Sequence, residues 1–427
     1  MRKGWPIVSE GVVSKQRKFK VSFIDAFLWF NVLLLPIFDN ASGLLFKLNI
    51  IGDGSIGSPS QLGRLIATFC VMVLITKLCS KDTKKIAFIL FSYFILVEVF
   101  SALIHWQLMA FLYGMVTSLK VIYAAFCLLF FLELVKKNKI TQVELEQWMV
   151  IYGTVISILV LLAYVSGFHI ANYSTGIATR GLFISGNGLG VVMGCCALVL
   201  IHRMRKFKLV HILHILILLS TTALVGTKGG LIFFVFGLLY LGLKMSRQHP
   251  ILTTAMLIVI AYYAIAPLLD VLGSVFNNII YKFNNIDDKW LLLASSRDKF
   301  ILEAFEKVTW FGAYSLRFIF GAGAYFGYLD PAAGAGSIRK LLENDLFELF
   351  FCYGILASLG YCCLFFYGAF YALVYKKLFY FILFSLVFLH SITAGHVVFN
   401  GTSSIMLAFI FATILCSNKY AVRKDAS

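Results

Sequence analysis

Three acidic residues cluster where a polar segment meets an apolar run, and they are the first candidates for chemistry in this sequence. Glu343, Asp345 and Glu348 occur in LLENDLFELFFCYGI, with Asn344 between the first two. A carboxylate that is partly withdrawn from water can serve as a general base for a hydroxyl group. Helix capping is the alternative, because Asn344 or Asp345 would be a good N-cap and acids suit the positive end of a helix dipole.

Three cations occupy positions from which they could bind an anion. Arg180 opens ATRGLFISGNGLG, in which Asn187 follows, Lys228 lies in GTKGG, and Arg297 begins RDKFILEAF. A guanidinium binds phosphate through two parallel hydrogen bonds and stays charged at every physiological pH. The alternatives are a snorkelling arginine at a helix end for Arg180, an interfacial lysine for Lys228 and a solvated side chain for Arg297.

The remaining polar residues in apolar surroundings allow several interpretations. His396, in TAGHVVFN, could shuttle a proton or contact a substrate, or it could be a buried histidine with satisfied hydrogen bonds. Asp25, Glu98 and Lys120 lie within apolar runs, where a transporter would place its central site, but they are few and no symmetric pair of broken helices marks such a site. The sequence contains no P-loop, GxSxG or HExxH motif and no Cys/His cluster with zinc spacing, so we predict no metal and no cofactor.

The elements that position these residues are predicted to be transmembrane helices. Of 427 residues, 60% are hydrophobic and 13% are charged, whereas about 25% are charged in soluble chains. The apolar runs are long and continuous, which indicates an all-α polytopic membrane protein with about twelve spans. The predicted spans are 22–39, 62–79, 86–105, 110–135, 148–167, 182–201, 209–226, 229–243, 251–269, 346–375, 378–395 and 401–416.

The net charge of +17 is explained by the orientation of these spans. With the N-terminus in the cytoplasm, 24 of the 37 basic residues lie in cytoplasmic segments. This is the positive-inside pattern, and it leaves no support for nucleic-acid binding. An even number of spans places both termini in the cytoplasm.

One long segment between the ninth and tenth spans must have structure of its own. We predict a single membrane domain over 1–427 with a structured outer loop over 270–345. Within that loop, SSRDKFILEAFEKVTWFG predicts an amphipathic helix along the outer membrane interface. Its apolar face would consist of Ile301, Ala304, Phe305, Val308 and Phe311.

Four segments in this order resemble the O-antigen polymerase (Wzy-type) and O-antigen ligase superfamily of bacterial polysaccharide assembly. They are ATRGLFISGNGLG, GTKGG, SSRDKF…FIFGAGAYFG and ENDLFELFFCYGILASLGY, within roughly 170–375. The resemblance implies a C-type glycosyltransferase fold in the bacterial inner membrane, acting at the periplasmic face on undecaprenyl-diphosphate-linked sugars without a metal. It also implies that Arg180 and Arg297 hold the diphosphate, and Lys228 stands where many members have arginine.

One departure separates the two activities of that superfamily. Ligases resemble one another in having a histidine before the asparagine of the re-entry motif, and here that position is Glu343. The chain therefore resembles a polymerase that joins lipid-linked repeat units, with Glu343 or Asp345 as the base. Contacts with substrate are expected from Lys228, Asn187, Asn344 and His396.

Two other functions remain alternatives at this point. One is a ligase that transfers finished polymer to lipid A core, and the other is a flippase or transporter of lipid-linked sugars. The expected partners of a polymerase are the lipid-linked donor and acceptor, membrane lipid, a chain-length regulator and a flippase.

Overall fold

The computed structural model describes residues 22–52, 57–171, 178–205, 208–247, 250, 297–308, 315–328 and 342–416. All regular secondary structure in these ranges is helical, apart from one isolated bridge between Ala171 and Thr179. The helices are α1 Phe23–Lys47, α2 Pro59–Leu78, α3 Lys81–His105, α4 Leu108–Lys136, α5 Gln142–Val165, α6 Asn187–Arg203, α7 Leu209–Leu224, α8 Lys228–Ser246, α9 Arg297–Lys307, α10 Arg317–Phe320, α11 Gly323–Phe326, α12 Asp345–Val374, α13 Leu378–Ala394 and α14 Gly401–Leu415.

Length and apolar composition identify the chain as a polytopic membrane protein. Seven of the described helices are long and apolar enough to cross a bilayer, namely α1 to α5, α8 and α12. Four more, α6, α7, α13 and α14, are apolar but shorter. Eleven of the predicted spans overlap one of these helices, whereas the span predicted at 251–269 lies outside the described residues. The total of twelve stays a prediction.

The core of the bundle is built around α14. Every residue from Gly401 to Ile414 is buried, and the helix contacts α4, α5, α6, α12 and α13. The outer helices carry exposed apolar side chains instead, such as Phe88 on α3 and Phe366 on α12. This arrangement is the one expected when lipid tails, and not water, surround the bundle.

Three lysines join the C-terminal ends of helices at one end of the bundle, here called the basic end. Lys137 Nζ donates to Leu78 O at 2.6 Å, and Lys244 Nζ donates to His202 O at 2.7 Å. Lys377 Nζ donates to Cys416 O at 2.7 Å. Carbonyl groups at a helix end have no partner within the helix, so a cation there satisfies them and opposes the negative end of the dipole.

Replacing Lys377 with alanine is expected to destabilise the protein by about 3 kcal/mol, because buried carbonyl groups would lose a charged donor. Lys377 also bonds Thr413 O at 2.7 Å and Gln142 Oε1 at 3.0 Å, and its burial lowers the pKa of its ammonium group. Thermal unfolding in one detergent measures the effect. Lys376→Ala removes an exposed neighbour and should change stability by less than about 0.5 kcal/mol. Equal melting temperatures for the two variants would contradict the prediction.

Helix α12 is broken at Gly354, where the backbone leaves the helical conformation with φ 74°. Ser358 Oγ donates to Leu346 O at 3.0 Å, twelve residues away in sequence, so the two parts of the helix fold back against each other. We call 345–353 the short arm and 355–374 the long arm. The span predicted over 346–375 is therefore two helical segments joined at Gly354, and not one straight helix.

The predicted amphipathic helix is present as α9 and packs on the short arm. Ala304 and Val308 are buried in a cluster with Phe350 and Phe351. Phe305 also contacts Phe351, with ring centroids 4.9 Å apart. The predicted apolar face is thus a protein contact, although Phe311 lies outside the described residues. The position of α9 relative to the bilayer stays a prediction.

Candidate functional site

Asp345, one of the two carboxylates predicted to act as a general base, is completely buried. Its Oδ2 accepts hydrogen bonds from Ser391 Oγ at 2.8 Å, from Val397 N at 2.8 Å and from Val398 N at 3.3 Å. Its Oδ1 is buried and has no hydrogen-bond partner among the described residues. One oxygen is therefore fixed by three donors while the other keeps its capacity to accept a proton, which a general base needs.

Three helices bring this carboxylate into the middle of the bundle. Ser391 lies thirteen residues after the start of α13 at the basic end, and Gly401 lies fourteen residues before the end of α14. At 1.5 Å per residue, both are about 20 Å from the basic end. The donors of Asp345 lie where α13 ends and α14 begins, with Ser391 in the last turn of α13 and Val397 and Val398 in the connection to α14. The expected position of this site at the outer mouth stays a prediction.

A short chain of hydrogen bonds extends from Asp345 into the long arm of α12. Tyr361 Oη and Ser391 Oγ are 2.7 Å apart, and Ser391 in turn donates to Asp345. The fold at Gly354 makes this contact possible, because Tyr361 and Asp345 would be about 24 Å apart along a straight helix. Ser391 and Tyr361 were not identified from the sequence, since no spacing pattern marks a partner that another helix supplies.

Glu348 lies one turn after Asp345 and is also buried. The electrostatic neighbours of its carboxylate include Asp345, Lys120 on α4 and Glu343. Lys120, one of three charged residues within the predicted spans, is therefore near this cluster. The sequence contained a signal for it, because a cation at the centre of a long apolar helix is costly and is usually functional.

The segments around the carboxylates have an unusual backbone conformation. Glu343 and His396 both have positive φ values, 53° and 63°, which side chains with a Cβ rarely adopt. A Cβ at Gly395 would lie 2.6 Å from Glu343 C, so only glycine allows these two segments to approach. Such left-handed residues cost about 1–3 kcal/mol each and are concentrated at functional sites.

Asn344, and not Asp345, caps the short arm. Its side-chain oxygen accepts from Phe347 N at 3.1 Å, and its Nδ2 donates to Ile392 O at 2.6 Å. The capping alternative is confirmed for Asn344, and it leaves the Asp345 carboxylate for the contacts described above. Glu343, directly before the cap, is half-buried.

An apolar groove lies beside this site. It lies between α3, α4 and the long arm of α12 and has a volume of about 420 Å³. Ile89 and Leu356 in its lining are about half exposed on the lipid-facing surface. Tyr361 and Val398 also line it, and both are linked to Asp345 as described above. The groove therefore borders the hydrogen-bond chain that holds the buried carboxylate.

Two of the predicted motifs pack against α13 and α14 beside this site. A Cβ at Gly188, next to Asn187, would lie 2.5 Å from Asn400 Nδ2 at the start of α14. A Cβ at Gly229, next to Lys228, would overlap the ring of His390, the neighbour of Ser391. Asn187 is half-buried as the first residue of α6, and Lys228 is exposed at the start of α8.

The other predicted residues occupy distinct places. Arg180 is half-buried in the segment before α6, where its N–H donates to Ile170 O at 3.1 Å. Arg297 is the first residue of α9, but its side chain lies outside the described residues. His396 is half-buried, and its carbonyl accepts a hydrogen bond from Ser403.

Two acids in predicted spans have structural partners instead of forming a central transport site. Glu98 accepts from Ala324 N at 3.0 Å and so holds α11 against α3. Asp25 accepts from Ser22 N at 3.2 Å in a capping box at the start of α1.

Among the residues described, no group of three His, Cys, Asp or Glu side chains could hold a metal ion.

Comparison of the chain with protein-family models and with curated proteins gives no match in either case.

Proposed function

We propose that this protein is a membrane glycosyltransferase that polymerises undecaprenyl-diphosphate-linked repeat units. The supporting observation is an apolar groove whose lining includes Tyr361 and Val398, two residues in the hydrogen-bond chain of a buried carboxylate, Asp345. A soluble sugar substrate would need no such groove, whereas a lipid-linked sugar needs both an apolar channel and a polar reaction centre.

The groove suits the tail of the lipid-linked donor. Ile89 and Leu356 in its lining are about half exposed at the surface of the bundle, and Tyr361 and Val398 in its lining belong to the hydrogen-bond chain of Asp345. A tail in the groove would lose little by leaving the bilayer, because both environments are apolar, but it would orient the attached diphosphate and sugar. Orientation of this kind lowers the entropic cost of the reaction.

In the proposed transfer, Asp345 Oδ1 takes the proton from a hydroxyl of the acceptor sugar. The acceptor oxygen forms a bond to the anomeric carbon of the donor, and the bond from that carbon to diphosphate breaks. Undecaprenyl diphosphate leaves with the electron pair of that bond. Ser391 and the N–H of Val397 hold Oδ2 during this step, so the direction of Oδ1 is maintained.

Negative charge builds on the diphosphate as the bond breaks, so cations near it lower the barrier. The resemblance assigns this role to Arg180 and Arg297, with Lys228 as a further contact. We also propose that Asn187, Asn344 and His396 contact the sugar. If the basic end faces the cytoplasm, as the positive-inside rule predicts, the reaction centre opens toward the periplasm of the inner membrane.

Deleting the gene in its native host tests the proposal. Surface glycolipids and lipid-linked intermediates would be separated side by side. Lipid A core that carries a single repeat unit is the expected result for a polymerase. Bare core with long polymer left on undecaprenyl diphosphate would instead indicate a ligase, and single repeats trapped at the cytoplasmic face would indicate a flippase.

Filling the groove is expected to reduce activity about tenfold or more with the natural donor and to spare donors with a short tail. Gly360→Trp is suitable, because Gly360 lines the groove and has open space at its Cβ position. The indole would occupy the volume that a long tail needs. Turnover with undecaprenyl and farnesyl donors measures the difference.

Gly242→Trp is the matched control, since Gly242 is also in a helix with open space around it but does not line the groove. This variant should retain activity with both donors. Equal loss with short and long donors in Gly360→Trp would show that the groove does not hold the tail.

A further inference from the structure

A turn of the outer loop at 321–324, which leads into α11, is held between α3 and the short arm of α12. On the α3 side, Ala324 N donates to a carboxylate oxygen of Glu98 at 3.0 Å. On the α12 side, Ala322 N donates to Phe351 O at 3.3 Å. The turn therefore joins the two helices through its own backbone groups.

The contact with α12 lies at the end of the short arm, just before the break in the helix. Carbonyl groups at the end of a helix have no partner within that helix. Here Phe351 O accepts from the turn, and Tyr353 O accepts from the hydroxyl of Tyr93 on α3. A Cβ at Gly321 would overlap the carbonyl group of Cys352, so the turn lies directly against the arm. The turn and α3 together fix the end of the short arm.

Glu98 is closely enclosed by the segments that it joins. Its side chain is buried, a Cβ at Gly114 of α4 would overlap its carboxylate, and a Cβ at Gly323 would lie 2.8 Å from Oε2. Ser101 on the same helix also bonds the turn, since its Oγ donates to Ala322 O at 2.6 Å. A charged acceptor holds an N–H group about twice as strongly as a neutral one. A carboxylate at this position therefore holds the turn more firmly than a neutral side chain would.

We infer that Glu98 is a positioning residue for Asp345. This inference rests on the proposed function, in which Asp345 is the general base. Asp345 begins the short arm, about 9 Å along the helix from Phe351, so the direction of its carboxylate depends on where the end of the arm is held. A displacement of about 1 Å at a reacting group can cost about 10²-fold in rate. Glu98 acts on the carboxylate through the turn and the arm.

Turnover of the purified full chain with the natural lipid-linked donor tests this inference. Glu98→Met removes the acceptor at similar volume and is expected to lower kcat about tenfold, with KM for the donor unchanged. Glu98→Gln keeps an oxygen for Ala324 N and should stay within about threefold of wild type. A wild-type kcat for Glu98→Met, or equal losses in the two variants, would overturn the inference.

Glu133→Met is the matched control for loss of a buried acceptor. Glu133 is also a buried glutamate, and it accepts a backbone hydrogen bond from Ser80 N at 2.8 Å at the basic end. Its replacement should lower the melting temperature, as Glu98→Met does, but leave kcat of the folded enzyme unchanged. If both variants lower kcat equally, the effect is general destabilisation and the inference is wrong.

A double-mutant cycle separates action through Asp345 from an independent role. In the Asp345→Asn background, Glu98→Met should have no further effect on kcat, because no base remains to be positioned. A full additional loss would overturn the inference. If Glu98→Met does not fold, Ser101→Ala replaces it in the cycle, since it removes another bond to the turn and should lower kcat about threefold. A wild-type kcat for Ser101→Ala would then overturn the inference.

Hydrogen exchange measured by mass spectrometry gives a readout that does not depend on the reaction. Glu98→Met is expected to speed exchange about tenfold in peptides from 315–328 and 345–353, whereas Glu133→Met should speed it only near Ser80. Unchanged exchange over 345–353 would overturn the inference. If the purified chain forms no polymer, the proposed function fails, and faster exchange in both peptides still supports the link between Glu98 and the short arm.

Discussion

Asp345→Asn is expected to lower the rate of polymer formation by about 10³-fold, which would leave single repeat units on the cell surface. A positioned general base contributes about 10²–10⁴-fold to a rate, and an amide of the same shape cannot take the proton. The amide oxygen can still accept from Ser391 and from Val397 N, so the fold around the site should persist. Glycan length in cells and turnover of purified enzyme measure the change.

The matched control for this variant is Asp25→Asn. Asp25 lies in α1, and its described hydrogen bond is the one that its carboxylate accepts from Ser22 N. It does not line the groove. It should support wild-type glycan length. Wild-type glycans in an Asp345→Asn strain with normal protein levels would remove Asp345 from the mechanism and leave Glu343 and Glu348 as candidates.

Gly354→Ala is expected to reduce the free energy of unfolding by at least about 3 kcal/mol and to lower the amount of folded protein. Two effects add. The φ of 74° at Gly354 is unfavourable for any residue with a Cβ, and the added methyl would overlap the carbonyl of Ile319 at the start of the Gly321 turn. The overlapped atoms of Ile319 belong to the backbone, so they cannot move without displacing α10.

The same helix offers a control for Gly354. Gly360 is also in α12, but nothing lies within 4 Å of its Cβ position and its φ is helical. Gly360→Ala should therefore stabilise the helix by about 0.5–1 kcal/mol. Thermal unfolding of both variants in one detergent measures the difference. A Gly354→Ala protein as stable as wild type would show that α12 does not need its break.

The break at Gly354 also determines what Asp345 can do. Without it, the short arm would continue the direction of the long arm, and Asp345 would lie well away from Ser391 on α13. Folding back places the carboxylate beside Ser391 and the groove, and the contacts of Phe350 and Phe351 with α9 cover the arm from outside. The outer loop therefore contributes to the site by holding the arm, in addition to any contact with substrate.

The positions of most helices could be predicted from the sequence. The runs expected at 110–135, 378–395 and 401–416 correspond to α4 Leu108–Lys136, α13 Leu378–Ala394 and α14 Gly401–Leu415. The reason is physical, because a backbone in lipid must satisfy its own hydrogen bonds, so a long apolar run has few alternatives to a helix. The apolar face of α9 could also be predicted, because its apolar residues recur at the spacing of the helical repeat.

The candidate site could be predicted only in part. Glu343, Asn344 and Asp345 were identified as a group because polar residues at a membrane boundary stand out in composition. Composition could not assign their roles, which depend on neighbours distant in sequence. Asn344 became the cap, and Asp345 received its donors from Ser391 and Val397, about fifty residues later.

The sequence by itself determined that this chain is a bundle of apolar helices with a cluster of polar residues in its last quarter. Helix length and apolar composition are local properties, and the bilayer selects for them directly. Only the tertiary structure decided that α12 folds back at Gly354 and that Asp345 receives hydrogen bonds from Ser391, Val397 and Val398. These features depend on close packing between segments that are far apart in the chain, where a single glycine or a single hydroxyl group determines whether the segments can meet.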